Sequence, residues 1–198
     1  VKNILITGNK SFPYKRLFDK NQISKSFKNT NEFSFLLPWR GKFNNELLNE
    51  DLKNLELFYH NQGYRDFKIL NKDIIYTNSG IEINIDIYEG EKYYYSSINF
   101  IDNKKFTDEQ LLSTLNIDIG DEYNKEKLEF SISENLSSLY MDEGHYYFNV
   151  IKEIIPKGKD ELIINLQLQE NQQVRIRKIF IKGNDKTEEN VIRRELKI

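Results

Sequence analysis

The side chains able to bind or catalyse are scattered along this chain and do not form a constellation. His60 and His145 are its two imidazoles. They are far apart and lack a ligand cluster, and each lies where a helical run ends, so surface or cap positions are expected. Asp121-Glu122 and Glu188-Glu189 are paired carboxylates. General acid–base work needs carboxyls held in different environments, whereas neighbouring acids in turns and first helical turns favour the helix dipole. The segment 7–12, TGNKSF, lacks phosphate-loop spacing, and the Asp-Asn runs lack calcium-loop spacing. Zero cysteines exclude disulfides and thiolate metal sites. Arg175, Arg177 and Lys178 read as the polar face of a strand. With 29 basic against 31 acidic residues, net charge -2, the chain has no basic excess for nucleic acid. No catalytic, cofactor-binding or metal-ligating residue is assigned, and no cofactor is expected.

Two aromatic clusters remain. Tyr93, Tyr94 and Tyr95 form either a recognition patch or packing at a junction between units. Leu36, Leu37 and Trp39, with Phe43, form either a loop folded back on its own core or an exposed apolar lip for a partner.

The elements that position these residues are revealed by a repeat. Gly63-Tyr64 and Gly144-His145 each follow an amphipathic run and precede a strand-like stretch, 81 residues apart. Glu89 and Glu170, Ile98 and Ile179, and Asn103 and Asn184 share that offset. So do the apolar patterns around them. Gly8-Asn9 and Asp102-Asn103 are separated by 94 residues, so the first unit carries 13 extra, placed around 33–42 before Leu47. Ile4 and Ile6, Ile98 and Phe100, and Val174, Ile176, Ile179 and Ile181 read as opening strands. Thr107 with Gln110 forms a capping-box pattern ahead of Leu111, Leu112 and Leu115, and Thr187 is expected to cap the next equivalent helix. Leu48, Leu52, Leu55, Phe58 and Tyr59, like Leu128, Ile132, Leu136, Leu139 and Tyr140, fall at helical spacing. Gly63 and Gly144 sit where a left-handed helix cap is expected. Two strands follow each glycine, at 65–70 and 81–88 and at 146–153 and 162–168. The fold class is therefore α+β, built as tandem β-α-α-β-β units of three strands covered by two helices. The units are expected at 1–91 and 92–172, with 173–198 opening a third. No apolar run approaches the ~20 residues of a membrane-spanning helix, and the direct entry of Val1 into a strand reads as a piece of a longer chain.

This order resembles the POTRA domain, in detail that of BamA-type outer-membrane assembly factors. Three stretches carry the likeness: NLELFYHNQGYRDFKI at 54–69, IDIYEGEKYYYSSINFIDNKKF at 85–106, and VRIRKIFIKGNDKTEENVIRREL at 174–196. The long first unit with its Pro38-Trp39 insertion resembles the third of five such domains, which makes the rest the fourth and the start of the fifth. His145 stands in place of the usual Tyr after glycine, and Asp102 in place of the usual Gly before Asn.

The resemblance implies a non-enzymatic arm at the periplasmic face of the outer membrane, anchored by a C-terminal barrel absent from this sequence. Its partners would be unfolded outer-membrane proteins and accessory lipoproteins, with no nucleic acid. In the POTRA arrangement the first strand after the second helix lies at the sheet margin and can accept an extended guest by strand addition. The candidate edges are Arg65, Asp66, Phe67, Lys68 and Ile69, and Tyr146, Tyr147, Phe148, Asn149 and Val150. The alternatives are a purely structural spacer, or the arm of a related secretion or import barrel.

Overall fold

A computed structural model describes residues 1–13, 23–30, 32, 43–175 and 177–196. Its elements run β1 (Asn3–Thr7), a 3₁₀ turn (Ile23–Ser26), α1 (Asn45–Asn61), β2 (Lys68–Thr77) and β3 (Gly80–Tyr88), then β4 (Tyr94–Ile101), α2 (Asp108–Leu115), α3 (Lys125–Phe130), a π-helical stretch (Ser131–Leu136), α4 (Ser137–Asp142), β5 (Asn149–Lys157) and β6 (Glu161–Gln169). A last short helix, α5, spans Glu189–Glu195. The fold is α+β with two separate three-stranded mixed sheets, ordered β1-β3-β2 and β4-β6-β5.

Each sheet follows from the alternation in its central strand. Ile83, Ile85 and Ile87 point inward from β3, and Leu162, Ile164, Leu166 and Leu168 from β6. The opening strand joins parallel, matching Ile4 to Ile83 and Ile98 to Ile164, and the third strand joins antiparallel as a hairpin. Against the first sheet α1 lays Leu48, Leu52, Leu55 and Tyr59. Against the second, α2 and the α3–α4 rod lay Leu111, Leu115, Leu128, Leu136 and Tyr140. Two cores result, one per sheet.

Helix starts are capped as polar side chains dictate. The Asn44 side chain accepts from the Glu46 amide at 2.8 Å, Asn124 accepts from Lys127 at 2.8 Å, and Thr107 and Gln110 make the expected reciprocal capping box. Thr187 does not cap α5. The residue before that helix is Glu188, which makes no side-chain cap bond. The 81-residue offset pairs Glu188, not Thr187, with Thr107, so Thr187 sits one position too early to reach the free amides.

Three further expectations change. The strand after each cap begins at Lys68 and Asn149 rather than at 65 and 146, and it runs on to Thr77 and Lys157. Residues 65–67 and 146–148 form the turn off the helix, in which the Phe67 amide donates to the Tyr64 carbonyl and that of Phe148 to His145. The second long helix widens into a π stretch at Ser131–Leu136, with the Ser137 hydroxyl donating to the Ile132 carbonyl. Finally, the described residues of 174–181 form no strand. β1 and β4 each pair with the last strand of their own unit, and among the described residues no strand follows β6 to pair in that way.

Gly63 and Gly144 end α1 and α4 in the left-handed region, with φ of 97° and 84°. The amide three residues past the helix bonds back to the third-last carbonyl, Tyr64 to Tyr59 at 3.0 Å and His145 to Tyr140 at 2.9 Å. A Cβ at Gly63 would lie 2.9 Å from Lys92 Cγ, and one at Gly144 would lie 3.1 Å from the Val174 carbonyl oxygen. Gly63→Val and Gly144→Val should therefore each lower stability by roughly 2 kcal/mol. Thermal melts of both variants check this, and unchanged midpoints would remove the capping argument.

Candidate functional site: sheet edges and the junction between units

β2 and β5 are the outer strands of their sheets, bonded on one side only. Their free groups follow from the hairpins. A two-residue turn makes Thr77 and Gly80 a mutually bonded pair, so alternation points the N–H and C=O of Lys72, Ile74 and Tyr76 away from β3, the Lys72 amide being taken by Asn71 Oδ1 at 2.8 Å. In β5, Pro156 has no N–H to give to β6, and its outward side is shared by Ile154 and Lys152 at alternate positions. A bulge at Leu70 separates the first residues of β2 from this register.

The expected edge residues therefore divide. Lys68 and Ile69, and Asn149 and Val150, lie in the edge strands. Phe67 and Phe148 are core residues, stacked on Tyr59 and Tyr140 with ring centroids 4.2 and 4.0 Å apart. Arg65 and Asp66 belong to the junction. Arg65 Nη2 donates to the Ile154 carbonyl at 3.4 Å, and Asp66 accepts from the Tyr93 hydroxyl at 2.7 Å. Their counterparts one repeat later, Tyr146 and Tyr147, are both 66% exposed.

The junction is built on the cap glycines. The Gly63 carbonyl accepts the Tyr93 amide at 2.9 Å, and one repeat on the Gly144 carbonyl accepts Val174 at 2.8 Å. Asn61 joins the head of α3, its side-chain oxygen accepting from the Glu126 amide at 3.0 Å and its carbonyl from Asn124 Nδ2 at 3.0 Å. Of the three consecutive tyrosines, Tyr93 packs at this junction, and Tyr95 enters the second core, where burial raises its pKa to about 12. His60 is not at the surface. It is buried, its Nδ1 has no hydrogen-bond partner, and burial followed by the charge of Lys125 lowers its pKa. His145 Nδ1 lies 2.9 Å from the Glu170 carbonyl.

Inside each unit the same carboxylate holds the ends together. Glu89 accepts the Tyr59 hydroxyl at 3.0 Å and the Ser11 amide at 3.0 Å. Glu170 accepts the Tyr140 hydroxyl at 3.1 Å and the Lys104 and Lys105 amides at 2.8 and 2.9 Å. Both tyrosines are held above their ordinary pKa, first by burial and then by the carboxylate, so they stay donors. For Glu170 burial pushes the pKa up, but the two amides and the Tyr140 hydroxyl outweigh it and the net shift is downward. Asp51 escaped the sequence reading. Fully buried on α1, it accepts the Lys28, Asn29 and Thr30 amides at 3.0, 3.1 and 2.6 Å. A lone acid among Leu48, Leu52 and Leu55 was the available signal.

Of the proposed apolar lip, Leu36, Leu37 and Trp39 lie outside the described residues. Phe43 is partly buried and packs against the first core. Among the described residues, no group of three His, Cys, Asp or Glu side chains is placed to hold a metal, and no helix is long and apolar enough to cross a membrane.

The family model for POTRA, described as "Surface antigen variable number repeat", matches residues 1–90 and 93–171. The chain belongs to the POTRA family. Curated relatives named "Outer membrane protein assembly factor BamA" include that of Nitratidesulfovibrio vulgaris, 29% identical over 80% of this chain and 20% of its own length, and that of Buchnera aphidicola, 26% identical over 91% of this chain and 30% of its own. The POTRA chain thus spans about a fifth to a third of these relatives. A crystal structure of Haemophilus influenzae BamA POTRA3-5 shares the fold across 100% of this chain and 76% of its own, with a TM-score of 0.65 at 18% identity.

The depressed Glu170 pKa gives the second POTRA unit an acid-sensitive contribution. The folded carboxyl holds its proton less tightly than the unfolded one. It therefore favours folding above the unfolded pKa, and this is lost as pH falls through the lower folded value. Denaturant midpoints of wild type and Glu170→Gln should differ most near neutrality and converge in acid. A pH-independent gap would contradict this.

Proposed function

We propose that the chain is the periplasmic arm of an outer-membrane β-barrel assembly factor, and that it takes up extended segments of unfolded outer-membrane proteins by strand addition at β2. The observation that carries this is the free side of β2, a ten-residue edge strand whose outward groups at Ile74 and Tyr76 meet no paired strand among the described residues. Backbone hydrogen bonds do not depend on guest side chains, which suits a receptor for many different barrels. Affinity is weak, because an ordered guest loses conformational entropy and gains bonds for which water competes. Weak capture allows the client to be passed on. Units at 1–91 and 92–172 with the opening of a further one at 173–198, in third, fourth and fifth place, fit the family match and the three-domain structural neighbour. Accessory lipoproteins dock on the same arm, and the protein is not an enzyme.

A second reading, a spacer that sets the height of whatever follows, draws support from the repeated glycine-to-amide bonds and the Asn61–Asn124–Glu126 cluster. The two are separated at Tyr76. This side chain is exposed and its amide points outward, so Tyr76→Pro removes a guest-facing donor without touching the ladder to β3. It should leave the circular dichroism unchanged and weaken binding of unfolded barrel protein roughly fivefold or more, one net hydrogen bond being about 1 kcal/mol. Unchanged binding by the folded variant would favour the spacer.

A further inference from the structure

Two sheets of three strands have four outer edges: on β2 the Lys72 amide is held only by its neighbour Asn71, Oδ1 at 2.8 Å, whereas each of the other three edges meets a group from another segment. On β1 the Ile4 amide donates to Glu32 Oε1 at 3.1 Å. The start of β4 is paired by the segment ahead of α3, with the Tyr95 amide on the Asp121 carbonyl at 3.0 Å and the Gly120 amide on the Tyr95 carbonyl at 2.8 Å. On β5 the outward side contains Pro156, which has no donor, and the Ile154 carbonyl, which is taken by Arg65 of the preceding unit.

Arg65 is held for that contact. It follows Gly63 by two residues, in the turn that the helix cap sets, and its amide donates to the Gly63 carbonyl at 3.0 Å. Its guanidinium lies 3.6 Å from Asp66, which is itself fixed by the Tyr93 hydroxyl at 2.7 Å. A guest strand on β5 would need the Ile154 carbonyl as an acceptor and would have to displace a cation whose other neighbours stay in place.

We propose that Arg65 is a specificity-determining residue that closes the second unit's edge, so that extended polypeptide is added at β2 and not at β5. Although related by the repeat, the two edges are not equivalent. One is an open receptor, and the other is covered by a side chain from across the junction. The assignment rests on strand addition as the binding mode, and the test keeps the two apart.

Photocrosslinking side chains are placed singly at Ile75 in β2 and Ile151 in β5, which are 43% and 49% exposed. The probe is a synthetic peptide of roughly ten residues alternating apolar and polar side chains, enough for one strand. In the otherwise unaltered chain the peptide should crosslink from Ile75 and stay at background from Ile151. Arg65→Ala, and Arg65→Gln as a second variant checked by the same melting curve, should raise the Ile151 yield severalfold and leave that from Ile75 unchanged. Equal yields from both positions before mutation, or an Ile151 yield that stays at background in both folded variants, would overturn the role of Arg65 while strand addition at β2 stands. Background yield from Ile75 in the folded, unmutated chain would instead overturn strand addition, and the proposal with it.

Discussion

A tyrosine hydroxyl on the second helix, bonded to a carboxylate just past the last strand, is the contact on which each unit depends. Tyr59 meets Glu89 and Tyr140 meets Glu170. The carboxylate also gathers amides from the loop behind the opening strand, so it joins the helix end, the sheet end and the first loop at one point. A carboxylate withdrawn from water is stable only where such donors replace the lost hydration. With that point set, each helix ends two residues beyond its tyrosine, at Asn61 and Asp142. The glycine cap follows within four residues, and the cap carbonyl faces the chain entering the next unit. The junction descends from there.

This arrangement accounts for an asymmetry that the repeat hides. The 81-residue offset carries over caps, stacked aromatics and the inter-unit amide bond. At the turn after the cap it pairs Arg65-Asp66 with Tyr146-Tyr147. The first pair is polar and reaches across the junction, while the second is exposed. Two sheets of the same strand order thus present different edges.

Much of this was legible in the sequence because it is local. Glycine after an amphipathic run and the Thr107–Gln110 spacing each name their conformation within a few residues. The strand starts were misread because Phe67 and Phe148 continue the alternation backwards into a turn, where they stack on the helix tyrosine instead of entering the ladder. Arg65 on the Ile154 carbonyl was not legible, since that contact spans 89 residues and its acceptor is a backbone oxygen of no residue type. That the described residues of 174–181 form no strand has a related origin, because a parallel strand exists only where its distant partner is present.

Amide hydrogen exchange on the folded chain, with and without unfolded barrel protein, tests the account most directly. The amides of Ile74 and Tyr76 should exchange fast in the free chain and become protected when client is added, while those of Lys152 and Ile154 show no added protection. Protection of the β2 amides in the free chain, or client-induced protection confined to β5, would contradict it.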